Sequence, residues 1–262
     1  MTLDAATIAR LAERLDRAER DVRPVARITD EYTGIDAEDA YAIQRALRDR
    51  KVAHGASIAG LKMGLTSHAK MKQLGVDTSI YGFLTEEGRR SDGAAVRTKG
   101  LIRPRVEPEI AFSLKARLAG PGCDVNAVLA ATDYVVSALE IIDSRYEEGR
   151  FDLRSVIADN ASCACFVVGA RRRHAADLDL MTLGVVLEKN GLMVATGSGA
   201  DVLGHPAAAV AMLANMLAAR GEHVPAGSFI LSGGITEAVP VTAGDRIEAR
   251  FEELGSVAVT FD

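Results

Sequence analysis

Apolar residues in the first fifth of the chain recur at helical spacing. Asp4 is placed to cap a helix that carries Ile8, Leu11 and Leu15 on one face. Asp36 is placed to cap a second, which carries Ala40, Ile43 and Leu47 and ends near Gly55. Charged residues fill the opposite faces, as in helices wrapped on a core or packed against a neighbouring subunit. From Ala56 the pattern changes to short apolar segments punctuated by Gly, Asn and Asp. It predicts strands at Ile58–Met63, Glu109–Leu114, Tyr134–Ile142, Cys163–Val168, Val185–Glu188, Met193–Thr196, Phe229–Leu231, Ile247–Phe251 and Val257–Phe261. Asn190-Gly191 marks a hairpin between two of these, because both residue types tolerate positive φ. One helix interrupts the strands, from His205-Pro206 through Val210, Leu213 and Leu217 to Gly221, with proline in its first turn and glycine beyond its end. The expected organisation is a helical lobe over residues 1–55 and a β-rich catalytic domain over residues 56–262.

Composition narrows the class. Nearly half of the 262 residues are hydrophobic, enough to build a sizeable core. A net charge of -5 argues against nucleic acid as a partner, and Arg171-Arg172-Arg173, the one tight basic cluster, reads as a solvated turn. The longest apolar run, Ala207 to Ala214, is too short to cross a membrane. The three cysteines, Cys123, Cys163 and Cys165, form an odd set with no secretory signal, so reduced thiols and a cytoplasmic location are expected.

Five segments carry candidate chemistry. In an extended Glu107-Pro108-Glu109 the two carboxylates share a face: they are either a solvated pair at a strand start or a convergent pair whose repulsion calls for a cation or a raised pKa. Glu140 lies inside the apolar run Ser137–Ile142, where a carboxylate needs a metal or an ion pair, with Arg145 or Lys62 as candidate partners; Asp143 either shares that role or ends the strand. Oxygen-only donors favour Mg²⁺ or Mn²⁺ over Zn²⁺, for which the scattered histidines and Cys163-x-Cys165 offer no second ligand pair. Lys62, in Gly60–Ser67, is either a snorkelling edge residue or a buried cation beside an anionic site. Asn160 and Ser162, in Asp159–Ser162, can donate to a substrate oxyanion or simply shape a turn. Gly233-Gly-Ile-Thr236 offers backbone N–H groups and a hydroxyl, and His205 reads as a helix cap.

The wording and order of these segments carry more than each alone. Gly60-Leu-Lys-Met-Gly-Leu-Thr-Ser67, Pro104-Arg-Val-Glu-Pro-Glu109, Glu140-Ile-Ile-Asp-Ser-Arg-Tyr146, Ala158-Asp-Asn-Ala-Ser162 and Gly204-His-Pro206 resemble the hydratase/decarboxylase branch of the fumarylacetoacetate-hydrolase-like superfamily. The resemblance runs from the first helix to Phe261. Ser79-Ile-Tyr-Gly-Phe-Leu84, Phe151-Asp-Leu153 and Leu231-Ser-Gly-Gly-Ile-Thr236 lean towards the members that decarboxylate 2-oxo-3-hexenedioate. The sister hydratases, which act on 2-hydroxypenta-2,4-dienoate, and a non-catalytic binder that kept the fold are the alternatives. One departure is Cys163-Ala-Cys165, where a more polar continuation is expected after Ser162.

The resemblance implies an α+β fold, a mixed β-roll core with an N-terminal helical lobe. It implies a Mg²⁺ or Mn²⁺ site at Glu107, Glu109 and Glu140, catalytic roles for Lys62 and Asp77, and substrate contacts from Ser162 and Thr236. It also implies a small-molecule 2-oxo dicarboxylate substrate, self-association, and a complex with the partner hydratase. Leu74, Ile80 and Phe83 are the expected apolar walls.

Overall fold

A computed structural model of the chain describes residues 3–148 and 151–262. The helical lobe opens with α1 (Ala5–Arg20), capped by Asp4, whose side chain accepts from the Thr7 N–H. A single turn, α2 (Ile28–Glu31), precedes α3 (Ala37–Ala53), where Asp36 and Asp39 form a reciprocal capping box. Leu11 and Leu15 of α1 and Ile43 and Leu47 of α3 are fully buried, so these apolar faces are used within the chain.

The remaining elements follow in the order β1 (Ile58–Gly64), α4 (His68–Leu74), β2 (Ile80–Thr85), β3 (Arg89–Ser91), β4 (Ala94–Val96), β5 (Arg105–Leu114), α5 (Val125–Ala131), β6 (Thr132–Ile142), α6 (Leu153–Ala158), β7 (Cys163–Val168), β8 (Gly184–Lys189), β9 (Leu192–Ser198), α7 (Pro206–Ala218), β10 (Phe229–Leu231), β11 (Val239–Pro240), β12 (Arg246–Phe251) and β13 (Gly255–Phe261). They build two mixed sheets. The larger runs β2-β1-β10-β5-β6-β7-β3, with β11 pairing β5, and the smaller runs β4-β13-β12-β8-β9. The fold is therefore α+β with N-terminal helices and a mixed β core. All nine expected strands are present. The hairpin turn places Asn190 at φ 55° and Gly191 at φ 80°. His205 caps α7 by accepting from the Ala207 N–H at 3.0 Å.

Periodicity missed four strands and four helices: β2, β3, β4, β11, α2, α4, α5 and α6. Most span two to four residues or a turn or two, too short to show a period. β2 failed for a different reason. Ile80 to Leu84 is buried on both faces, so it shows no alternation of apolar and polar positions. α4 has few apolar residues and is defined by its ends: Ser67 accepts from the Lys70 N–H, and Gly75 closes the helix in the left-handed conformation.

Against the expectation from its longest apolar run, Ala207 to Ala214, the stretch Gly199–Ala218 is long and apolar enough to cross a membrane by length and composition, and half of it is buried. Its helical part, α7, packs into the hydrophobic core through Val210, Leu213 and Leu217. Arg145 ties the core to the site. It is buried and paired with Asp159 at 2.5 Å, and it donates to the carbonyls of Asp143, Asp159 and Cys163. These bonds anchor the end of β6 to the turn that precedes β7. The three cysteines are free thiols, and Cys163 and Cys165 are buried.

Candidate metal centre

β5 and β6 form the floor of the site. They are antiparallel, with Glu107 directly opposite Glu140 and Glu109 opposite Ala138. Residues two apart on a strand share a face, and directly opposed residues point the same way, so the register converges three carboxylates. One oxygen from each of Glu107, Glu109 and Glu140 lies within 4.8 Å of the others, and all three residues are buried. Pro108 is tolerated mid-strand because the neighbouring edge of β5 is open there. β10 has ended at Leu231, and Pro108 needs only to accept, through its carbonyl, from the Ile235 N–H at 2.9 Å.

The Gly233-Gly234 loop closes over this pair. The Gly233 N–H donates to Glu109 Oε2 at 2.6 Å. A Cβ on Gly234 would stand 2.4 Å from Glu107 Oε2, so only glycine lets the loop lie against that carboxylate.

Lys62, on β1, resolves to the buried-cation reading. Its Nζ lies 2.9 Å from Glu140 Oε2 and donates to the Ala161 carbonyl at 3.3 Å. That carbonyl is presented by three consecutive left-handed residues, Asn160 (φ 53°), Ala161 (φ 48°) and Ser162 (φ 60°), backbone that costs free energy and concentrates at functional sites. Arg145 from one side and Asn160 from the other hold the turn. Asn160 accepts from the Phe83 N–H and donates to the Phe83 carbonyl. Asn160 therefore serves β2, and Asp143 ends its strand by accepting from the N–H groups of Ile102 and Arg103.

A cation fits this cluster. Glu109 Oε1 and Glu140 Oε1 are buried without a hydrogen-bond partner, which is costly unless something else satisfies them. The donors are all carboxylate oxygens, the chemistry of Mg²⁺ and Mn²⁺. Burial first, then the Glu140 charge, pushes the Glu107 carboxyl above its ordinary range. Burial, Glu140 and Glu107 push Glu109 further still. Burial alone would depress the Lys62 ammonium, but Glu140, Glu107 and Glu109 outweigh it and hold the proton on more firmly than usual.

These shifts set a pH dependence. A carboxyl whose pKa is raised by folding stabilises the protein below its unfolded pKa, and that contribution is lost as pH rises through the folded value. The metal-free protein is therefore expected to lose stability on the alkaline side. A bound divalent cation must displace those protons, so Mg²⁺ affinity and the gain in Tm on adding Mg²⁺ should grow with pH. Calorimetric titration with Mg²⁺ in two buffers of different ionisation enthalpy measures the released protons; identical heats in both would contradict the shifts.

A cavity of about 520 Å³ opens onto the cluster. Lys62, Glu107, Ser162 and Thr236 line it, with Leu74, Ile80, Phe151 and Val156 as apolar wall. Phe83, expected as a wall, lies elsewhere. It is three residues from Ile80 on β2, so the two point to opposite faces of the sheet, and Phe83 lines other cavities. Thr236 donates its hydroxyl to the Glu237 carbonyl at 3.1 Å. Asp77 is exposed on the loop after α4 and is not among the residues lining the cavity. Sequence reasoning missed Lys70 and Gln73 of α4 and Val156 of α6, which line or wall the cavity from helices too short for periodicity. The Ser67 cap and Gly75 stop were the signals that could have found α4.

No protein-family model matches the chain. Individual proteins do. The 4-oxalocrotonate decarboxylase of Pseudomonas sp. (strain CF600) is 55% identical over 260 residues, 99% of this chain and 98% of that protein. The 2-hydroxyhexa-2,4-dienoate hydratase of Comamonas testosteroni is 42% identical, over 95% of each. Among solved structures, 4-oxalocrotonate decarboxylase from Pseudomonas putida G7, complexed with magnesium and adipate, superposes with a TM-score of 0.97 at 51% identity, covering 100% of this chain and 99% of that one.

Proposed function

We infer, for a chain that belongs to the 4-oxalocrotonate decarboxylase family of the fumarylacetoacetate-hydrolase-like superfamily, that it is a metal-dependent carbon–carbon lyase. It decarboxylates 2-oxo-3-hexenedioate to 2-hydroxypenta-2,4-dienoate and CO₂ in the meta-cleavage breakdown of aromatic compounds. The observation that carries the reading is the buried trio Glu107, Glu109 and Glu140 with its unpartnered oxygens, in a fold shared with a magnesium-bound diacid complex.

The trio would hold the cation, and a divalent ion there supplies Lewis acidity towards the 2-oxo carboxylate end of a substrate. Loss of CO₂ breaks the C5–C6 bond and leaves its electron pair at C5, conjugated through C3–C4 to the C2 ketone oxygen. The negative charge collects on that oxygen, which takes up a proton to give the dienol. Lys62 places a fixed positive charge beside the developing oxyanion. Glu140 and the Ala161 carbonyl occupy two of its N–H directions, leaving a third for the substrate. Ser162 and Thr236 line the cavity as substrate contacts, and Leu74, Ile80, Phe151 and Val156 exclude water around the carbons. Asp77 belongs to the proposal as a catalytic residue that would have to approach from its exposed loop.

The division into a helical lobe over residues 1–55 and a catalytic domain over residues 56–262 belongs to the same proposal. So do self-association and docking to the partner hydratase. Leu192, Met193 and Val194, exposed together on the edge strand β9, support an interface there more than on the helical lobe, where α1 and α3 bury their apolar faces.

The purified protein with Mg²⁺ or Mn²⁺ should release CO₂ from 2-oxo-3-hexenedioate, and a chelator should stop it. Fast hydration of 2-hydroxypenta-2,4-dienoate without CO₂ from the diacid would move the chain to the hydratases. CO₂ release that survives complete metal removal would overturn the metal's role. Sedimentation velocity, alone and with the hydratase, checks the assembly.

A further inference from the structure

The charges lining the cavity are unevenly placed. Of its two lysines, Lys62 is committed to Glu140 and the Ala161 carbonyl. Lys70, half-buried on α4, lines the same cavity; its charge acts on Glu107 at longer range, but among the described residues no carboxylate approaches its Nζ within 4.0 Å. Gln73 lies three residues on, on the same face of α4, and also lines the cavity. The remaining charged lining residues, Glu107, Asp201 and Glu237, are negative. A ligand held at the carboxylate cluster by one end and carrying a second carboxylate at the other is repelled from Asp201 and Glu237. The side of the cavity formed by α4 is the one that offers it a cation.

We propose that Lys70, with Gln73 beside it, reads the far carboxylate of the substrate and sets diacids apart from the corresponding mono-acids. The inference rests on the decarboxylase reading and deepens it. An ammonium on a flexible stem, partly open to solvent, acts as a point charge without fixed geometry. Its contribution therefore belongs to selecting the diacid at binding. The contact it makes is lost when that carboxylate leaves as CO₂, so it offers nothing to the transition state beyond what it gives the bound substrate.

The test measures dissociation constants of 2-oxoadipate and 2-oxohexanoate by calorimetry, with Mg²⁺ present, for the native protein, Lys70→Met and Lys70→Arg. The native protein should prefer the diacid by about tenfold, the scale of one partly exposed charge-assisted hydrogen bond. Lys70→Met should erase that preference by weakening the diacid alone, and Lys70→Arg should keep most of it. A preference that survives Lys70→Met overturns the proposal. Equal weakening of both ligands also overturns it, because Lys70 would then be a counter-charge to the carboxylate cluster. If the native protein binds neither 2-oxo acid, the parent reading falls and this inference with it.

Discussion

Lys62→Met should lose about a hundred- to a thousandfold in turnover, the usual effect of removing a group aimed at a developing oxyanion. At the same time it should bind Mg²⁺ more tightly. Among the described residues Lys62 is the one cation bonded to the trio, 2.9 Å from Glu140 Oε2, and it repels any second cation placed there. Removing it leaves the three buried carboxylates with only the longer-range charges of Lys70 and Arg105 acting on Glu107. Orphaning a buried charge costs about 3–5 kcal/mol where the charge persists. Here the cost is smaller, because burial and the neighbouring carboxylates raise the pKa of Glu107 and Glu109 and so favour their neutral forms. The metal-free variant should therefore fold with a lowered Tm, and Mg²⁺ should restore more stability to it than to the native protein. Opposite movements of turnover and metal affinity separate a chemical role from a collapsed site. Native turnover in Lys62→Met would make the residue a packing element, and weaker Mg²⁺ binding would contradict the electrostatic picture.

Glu109→Gln should reduce Mg²⁺ affinity and activity together, each by at least about a hundredfold, since even a residue that only orients a metal ligand is worth 10–100-fold. Its metal-free stability should move the other way. Glu109 is fully buried beside Glu107 and Glu140, and its Oε1 has no partner. An amide keeps an oxygen for the Gly233 N–H, cannot ionise at any pH and supplies a donor towards the neighbouring carboxylates. The variant should melt higher than the native protein without metal, and Mg²⁺ should no longer raise its Tm. Thermal melts with and without Mg²⁺, alongside calorimetry and CO₂ release, read all three effects. Unchanged metal affinity and activity would remove Glu109 from the metal site.

The sequence by itself determined the features that depend on local chemistry. Asp4, Asp36 and His205 cap helices because a side-chain acceptor satisfies a free N–H wherever a helix begins. The nine predicted strands follow their apolar runs, and Asn190-Gly191 turns because both residues accept positive φ. The spacing of Glu107 and Glu109 puts two carboxylates on one face whatever lies around them. Tertiary structure decided everything that depends on register between distant segments. Glu140 joins the pair only because β6 aligns it opposite Glu107. Lys62 reaches the same point from β1 across the sheet, and that contact decides between a snorkelling edge lysine and a buried cation. The same holds for placement away from the cavity: Asn160 pairs with Phe83, Phe83 lines other cavities, and Asp77 lies on an exposed loop. Side-chain direction and burial are properties of pairing and packing, and a single strand or short helix carries no record of which neighbour it will meet.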